Sequence, residues 1–161
     1  MLSCRALQAE LRALASGHMK LRILAIGKLK DEGLEALVAE WQKRSRKFLP
    51  IELVHLRDLA ALRVKAGKPR IVLDERGMGV RSEQLAVWLR QFRDRGVRQI
   101  DFLVGDAHGF VDDDRKQADK VLALSQLTLP HRLAQVILVE QLYRAGTILF
   151  GHPYHHDARG E

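Results

Sequence analysis

Along most of this chain, short apolar runs alternate with stretches in which apolar residues recur at helical spacing. Lys20–Ile26 (KLRILAI), closed by Gly27, predicts a first strand. Leu34, Leu37, Val38, Trp41 and Phe48 then follow a helical period up to Pro50. Lys43, Arg44, Arg46 and Lys47 fall near the end of that helix, where cations suit the dipole. Ile51–Leu56 reads as a second strand and Arg70–Leu73 as a third, with one short helix expected in the ambiguous stretch Asp58–Lys68. A further helix is predicted by Ser82 as its cap, by the apolar face of Leu85, Trp88, Leu89 and Phe92, and by the stop at Gly96. Ile100–Val104 reads as a fourth strand. Asp112, Asp113 and Asp114 open a helix expected to run toward Leu122, Leu127–Leu129 reads as a short fifth strand, and a very apolar last helix spans about Leu133–Phe150.

Strands alternating with helices predict an α/β domain with a mainly parallel sheet and helices on both faces. In such sheets ligands sit beyond the carboxyl ends of the strands. Three segments fall there: Leu73-Asp74-Glu75-Arg76-Gly77, Gly105-Asp106-Ala107-His108-Gly109, and the stretch around Thr128-Leu129-Pro130-His131. Residues 19–161 read as a single domain. Residues 1–18 form an Ala- and Leu-rich amphipathic extension without a clear cleavage signal, set apart from the fold.

Composition narrows the picture. With 161 residues and 47% hydrophobic content, the chain can bury a core and is not a disordered type. No apolar stretch reaches the roughly 18 residues of a membrane span; Ile137–Phe150 comes nearest and is broken by Glu140, Gln141 and Arg144. The net charge of +7, from 27 Lys and Arg against 20 Asp and Glu, suits a polyanionic partner. Aromatic residues are few and not interleaved with the basic ones, which speaks against a single-strand stacking platform. Cys4 is the only cysteine, so a disulfide framework and a cysteine zinc site are both excluded within one chain, and a reducing, cytoplasmic location is expected.

Candidate chemistry lies in the loops and the tail. The glycines of Gly105–Gly109 allow close approach of backbone to a ligand, while the three aspartates that follow disfavour phosphate at that helix start. A nucleoside-like ligand fits, and so does an ordinary turn. His152, His155 and His156 cluster at the C-terminus, yet no cysteine or helical His-x-x-x-His accompanies them, so no metal is expected and a polar catalytic tail is preferred, with a disordered end as the other reading. The last helix is apolar nearly all round, which suggests that a second subunit covers it. Glu140, Tyr143 and Arg144 would then lie at an interface or site; simple snorkelling is the other reading.

Five stretches, in this order, carry a resemblance: Lys20–Lys30, Leu73-Asp74 with Gly77, Val104-Gly105 with Gly109, Leu124-Ser-Gln-Leu-Thr-Leu-Pro-His131, and Glu140-Gln-Leu-Tyr-Arg-Ala145 with His152-Pro-Tyr-His155. Together they resemble the ribosomal RNA large subunit pseudouridine N3-methyltransferase family of the SPOUT class, over Met19 to about His156. The resemblance implies an α/β fold with a C-terminal trefoil knot, a rare exception to ordinary topology. It also implies a homodimer, and S-adenosylmethionine as cofactor. The implied substrate is N3 of a pseudouridine in helix 69 of 23S rRNA on assembled ribosomes. The cofactor would be held by Leu73, Gly105 and the loop Leu124, Ser125, Gln126, Leu127, Thr128 and Leu129. His155, Tyr154 and Arg144 would carry the chemistry, with His155 as the base. Two departures stand out: Asp106 where relatives commonly have a second glycine, and a short segment Asp58–Lys68 where they usually have a longer helical insertion. A non-catalytic ribosome- or RNA-binding module on the same fold and a SPOUT enzyme acting on tRNA are the alternatives.

Overall fold

A computed structural model describes residues 19–154. Within them, the strands β1 (Lys20–Ile26), β2 (Ile51–Leu56), β3 (Arg70–Gly79), β4 (Gln99–Val104) and β5 (Lys120–Ala123) form one parallel sheet in the order β2-β1-β4-β3-β5. The helices are α1 (Glu32–Ser45), α2 (Leu59–Lys65), α3 (Ser82–Asp94), α4 (Asp112–Gln117) and α5 (His131–Leu149). Strand alternation splits the core in two. Leu21, Ile23, Ala25, Ile100, Phe102 and Val104 face α1, α3 and α5, whereas Leu24, Ile26, Val72 and Leu103 face Leu62 of α2 and Phe110 before α4. Helices therefore cover both faces of the sheet, as the chain pattern predicts.

Local chemistry fixes the helix starts. Asp31 accepts from the Leu34 amide at 2.9 Å and Asp58 from the Ala61 amide at 2.8 Å, each as an N-cap. The Ala61 hydrogen bond holds the Asp58 carboxyl below its ordinary range, helped by Arg57. The second face is also tied by charge. Arg22 of β1 grips Asp101 of β4 with two hydrogen bonds, Nε to Oδ1 at 2.9 Å and Nη2 to Oδ2 at 2.6 Å. Asp101 also accepts from the Gly67 amide at 2.6 Å, so the segment after α2 is anchored to the sheet centre.

Several expectations need correction. Ser82 does not cap α3: Arg81 occupies that position, and the Ser82 hydroxyl donates to Gln141 Oε1 of α5 at 2.6 Å. Leu37 is exposed on α1, and Phe48 lies beyond its end. The helix from Asp112 stops at Gln117, and the fifth strand is Lys120–Ala123; Leu127–Leu129 is loop. The Asp119 amide donates to the Arg70 carbonyl at 2.9 Å, and Asp119 Oδ2 accepts from the Arg70 amide at 2.8 Å. These contacts pull the chain onto β3 before a second helical turn can continue. On the sheet, α5 lies between α1 and α3, and Leu138, Val139, Leu142 and Tyr143 are buried by its own chain, while Leu133 stays exposed and Ile137 and Ile148 half-buried.

Candidate active site

Strand β3 carries the first wall of a cavity. It pairs regularly with β4 up to Leu73–Val104, and Leu122 of β5 faces both Leu73 and Met78. The four residues Asp74–Gly77 therefore arch out of the ladder as a bulge. Gly77 permits this: a Cβ there would sit 2.7 Å from the Val121 carbonyl carbon and oxygen. The bulge is stiffened by Asp74, whose Oδ1 accepts from the Arg76 amide at 2.8 Å and whose Oδ2 accepts from Arg115 Nη1 at 2.7 Å. Arg115 also pairs with Asp112, which raises the guanidinium pKa and lowers that of the Asp112 carboxyl.

The second wall follows β4. The Gly109 amide donates to the Asp106 carbonyl at 3.0 Å and the His108 amide to Asp106 Oδ1 at 2.9 Å. Gly105–Gly109 is thus a tight turn, closed by Gly109 at φ +70°. A Cβ on Gly105 would lie 3.2 Å from Phe110 Cε2, so the ring packs closely over the glycine and would have to give by a few tenths of an ångström. The third wall is the loop after β5. Among the described residues, no turn or loop hydrogen bond between backbone groups uses residues 125–129, and the Leu127 amide donates to Ser125 Oγ at 2.9 Å.

Together these segments enclose a cavity of about 660 Å³ beyond the carboxyl ends of β3, β4 and β5. Leu73, Gly105, Leu124, Ser125, Leu127, Thr128 and Leu129 all line it; Gln126 does not. Its size is that of a small-molecule site. Leu73, Val104, Leu122 and Leu129 give it apolar walls, and the unspent main-chain groups of 125–129 give it donors and acceptors at the edge of a flat heterocycle. Asp74, Glu75 and Asp106 suit a ligand with positive charge. An adenosyl sulfonium compound matches all three features. Glu75 joins Leu73 as a site residue of the β3 segment, accepting from the Thr128 hydroxyl at 3.3 Å. Its position at a strand end was the available signal.

Arg144 and Tyr154 come together elsewhere. Both meet Glu140 Oε1, through Arg144 Nη2 at 2.5 Å and the Tyr154 hydroxyl at 3.0 Å, and the Arg144 guanidinium sits 4.9 Å from the Tyr154 ring centroid. Tyr154 also packs edge-on to Tyr143 and Trp41, at 4.7 and 5.8 Å. Burial, reinforced by the Glu140 charge and hydrogen bond, pushes the Tyr154 phenol up to about 12. It is therefore a neutral hydrogen-bond donor at any ordinary pH. Neither residue lines the cavity. Arg144 stands ten positions beyond Ala134, the last lining residue, or about 15 Å along the helix. His155 lies outside the described residues, as does His156; among the described residues no group of His, Cys, Asp and Glu is placed to hold a metal ion.

One group of basic residues lies at the far end. Because α1 and α3 run back from the strand carboxyl ends, the exposed Lys43, Arg44, Arg46 and Lys47, and Arg90, Arg95 and Arg98, lie near the opposite end of the sheet from the cavity. Six-residue strands separate these ends by about 20 Å.

A family model described as "Predicted SPOUT methyltransferase" matches residues 19–155. The chain is similar to proteins called "Ribosomal RNA large subunit methyltransferase H": 40% identical to that of Geobacter metallireducens, covering 86% of this chain and 99% of the relative. For Koribacter versatilis the figures are 41%, 85% and 98%, and for Gloeobacter violaceus 38%, 86% and 99%.

Proposed function

Because the chain belongs to the SPOUT methyltransferase family, we propose that it methylates N3 of a pseudouridine in helix 69 of 23S rRNA on assembled ribosomes, as a cytoplasmic homodimer using S-adenosylmethionine. The observation that carries this reading is the cavity at the strand ends, walled by a loop whose main chain is left unspent. The names of the relatives supply the substrate class. The C-terminal trefoil knot belongs to the same reading.

Leu73, Leu124, Leu127 and Leu129 would clamp the cofactor's heterocycle, the main chain of residues 125–129, Gln126 included, would read its edge, and Gly105 and Thr128 would complete the wall. When bound, the cofactor supplies a methyl group already activated on sulfur. The chain's own residues then have two tasks: aligning the RNA base, and removing the N3 proton as the N–C bond forms. His155 is the base in this reading, with an unperturbed pKa of about 6.5. Arg144 stabilises the charge developing on the imide or holds a phosphate. Tyr154, locked as a neutral phenol, orients Glu140 and Arg144 and does not take the proton.

The separation of cavity, tail and basic end supports a shared site. One protomer would offer its cavity while its partner brings Arg144, Tyr154, His155 and the basic helix ends to the RNA. An antiparallel pairing of two copies brings opposite ends together.

The test is incorporation of labelled methyl groups into ribosomes lacking the modification, with free 23S rRNA and bulk tRNA alongside, and mass mapping of the product. Label in helix 69 of ribosomes is expected. Label only in tRNA would make the chain a tRNA enzyme of the same class. No label anywhere, with ribosome binding retained, would leave a binding module. An unchanged single-turnover rate in His155→Ala would remove His155 as base.

A further inference from the structure

The cavity runs against the charge of the chain. The whole protein carries +7, yet carboxylates outnumber guanidinium groups three to two among the cavity's lining residues. The guanidinium of Arg115 is committed to Asp74 and Asp112. Asp74 is committed in turn, to Arg115 and to the Arg76 amide. Two carboxylates remain only lightly engaged. Glu75 has one long contact, from Thr128 at 3.3 Å. Asp106 spends Oδ1 on the His108 amide, and among the described residues Oδ2 accepts no hydrogen bond. Asp106 is half-buried at the end of β4, next to the glycine packed beneath Phe110, so its charge is less screened than one on an open surface.

We propose that Asp106, seconded by Glu75, makes this cavity selective for the cationic sulfonium form of the cofactor over the neutral thioether left after methyl transfer. The inference rests on the cofactor reading given above and gives Asp106 a part in selectivity, beyond the general suitability of the acidic lining for a cation. The two forms differ by one methyl group and one unit of positive charge. Apolar walls and main-chain donors hold both alike, so they cannot separate them. A carboxylate in the same cavity can, because its attraction disappears with the charge. The same negative field disfavours phosphate there, which leaves the RNA backbone to the basic end of the domain. The consequence for turnover is weak product inhibition: the spent cofactor loses part of its hold when the methyl group leaves.

Isothermal titration of the full chain with S-adenosylmethionine, S-adenosylhomocysteine and sinefungin, whose ammonium group replaces the methyl sulfonium, tests this directly. Asp106→Asn is the informative variant, since the amide oxygen can still accept from the His108 amide and keep the turn. Wild type is expected to bind the two cationic ligands about fivefold or more tighter than the thioether, the gap narrowing as salt rises. Asp106→Asn should lose most of that gap while its thioether affinity stays within about twofold of wild type. Glu75→Gln should move the ratio in the same direction by less. Equal ratios in wild type and Asp106→Asn overturn the inference while leaving the cofactor reading intact. Parallel loss of all three ligands in Asp106→Asn also overturns it, by making Asp106 a part of the turn only. No binding of any ligand to folded wild type overturns the cofactor reading and this inference with it.

Discussion

Replacing Gly77 with alanine should destabilise the protein, although the usual effect of such a change has the opposite sign. Where backbone angles permit it, Gly→Ala stabilises by about 0.4–1 kcal/mol because the unfolded chain has less freedom to lose. Gly77 is not in the left-handed region, so conformation alone predicts that gain. Packing reverses it. The added Cβ would lie 2.7 Å from the Val121 carbonyl carbon and oxygen and 2.9 Å from the Leu122 carbonyl carbon, while ordinary contact begins near 3.4 Å. β3 and β5 must separate by about 0.7 Å, and the obstructing atoms are backbone, which cannot rotate away. Overpacking of this kind costs about 1–3 kcal/mol, and with backbone as the obstruction the net loss after the entropic gain is centred at ~1.3 kcal/mol and at most about 2.6 kcal/mol. Displacing β5 also displaces the loop that follows it, so cofactor affinity should drop by about tenfold or more, as expected for a preorganised site. Gly79, two residues along the same strand, has nothing within 4 Å of its missing Cβ and serves as the control. Urea unfolding and calorimetric binding of Gly77→Ala and Gly79→Ala together decide the matter. If Gly77→Ala matches Gly79→Ala in midpoint and binds the cofactor like wild type, the steric account of the bulge is wrong.

Asp101→Ala should cost about 3–5 kcal/mol in urea unfolding, because it strands the largely covered Arg22 guanidinium and frees the Gly67 amide. A loss under about 1 kcal/mol would show the pair to be incidental. The Tyr154 phenol, raised to about 12, contributes stability that is complete below the ordinary tyrosine range near 10 and drains away as pH climbs from there toward 12. The absorbance difference at 295 nm between wild type and Tyr154→Phe should therefore rise near pH 12; a step near 10 would contradict the burial assigned to this ring. Heterodimers joining a Leu129→Arg protomer to a His155→Ala protomer, isolated with two affinity tags, should keep about half of wild-type methylation, since one of two shared sites stays whole. Activity no higher than in either parent would place cavity and tail of a working site in one chain.

Much of this architecture could be read without coordinates where the signals were local. β1, β2 and β4 are apolar runs between breakers, and α3 shows its buried face plainly in Leu85, Trp88, Leu89 and Phe92. What escaped depends on distant partners. β5 is only four residues and is defined by the grip of Arg70 on Asp119, while the sequence before it continues a helical pattern. The outer half of β3 is polar Asp-Glu-Arg-Gly, which announces a turn, and only the second contact with Leu122 reveals a bulge. The cavity loop was legible as a motif, Leu124–Leu129, yet its chemistry follows from hydrogen bonds its backbone does not make. For α5, apolar character on most sides is sound as a sign of burial, and α1 and α3 on either side of it supply much of the cover within the chain.

The cavity straddles the join between β3 and the edge strand β5, which has a single neighbour in the sheet. Short edge strands open at lower free energy than a domain's centre, so amide exchange should begin at Lys120–Ala123 and spread into the loop beyond. A molecule lodged between the Asp74–Gly77 arch and residues 125–129 spans that seam and slows its opening by mass action. Occupancy would then be felt as rigidity of the sheet margin, and exchange at Lys120–Ala123 would report whether the site is filled.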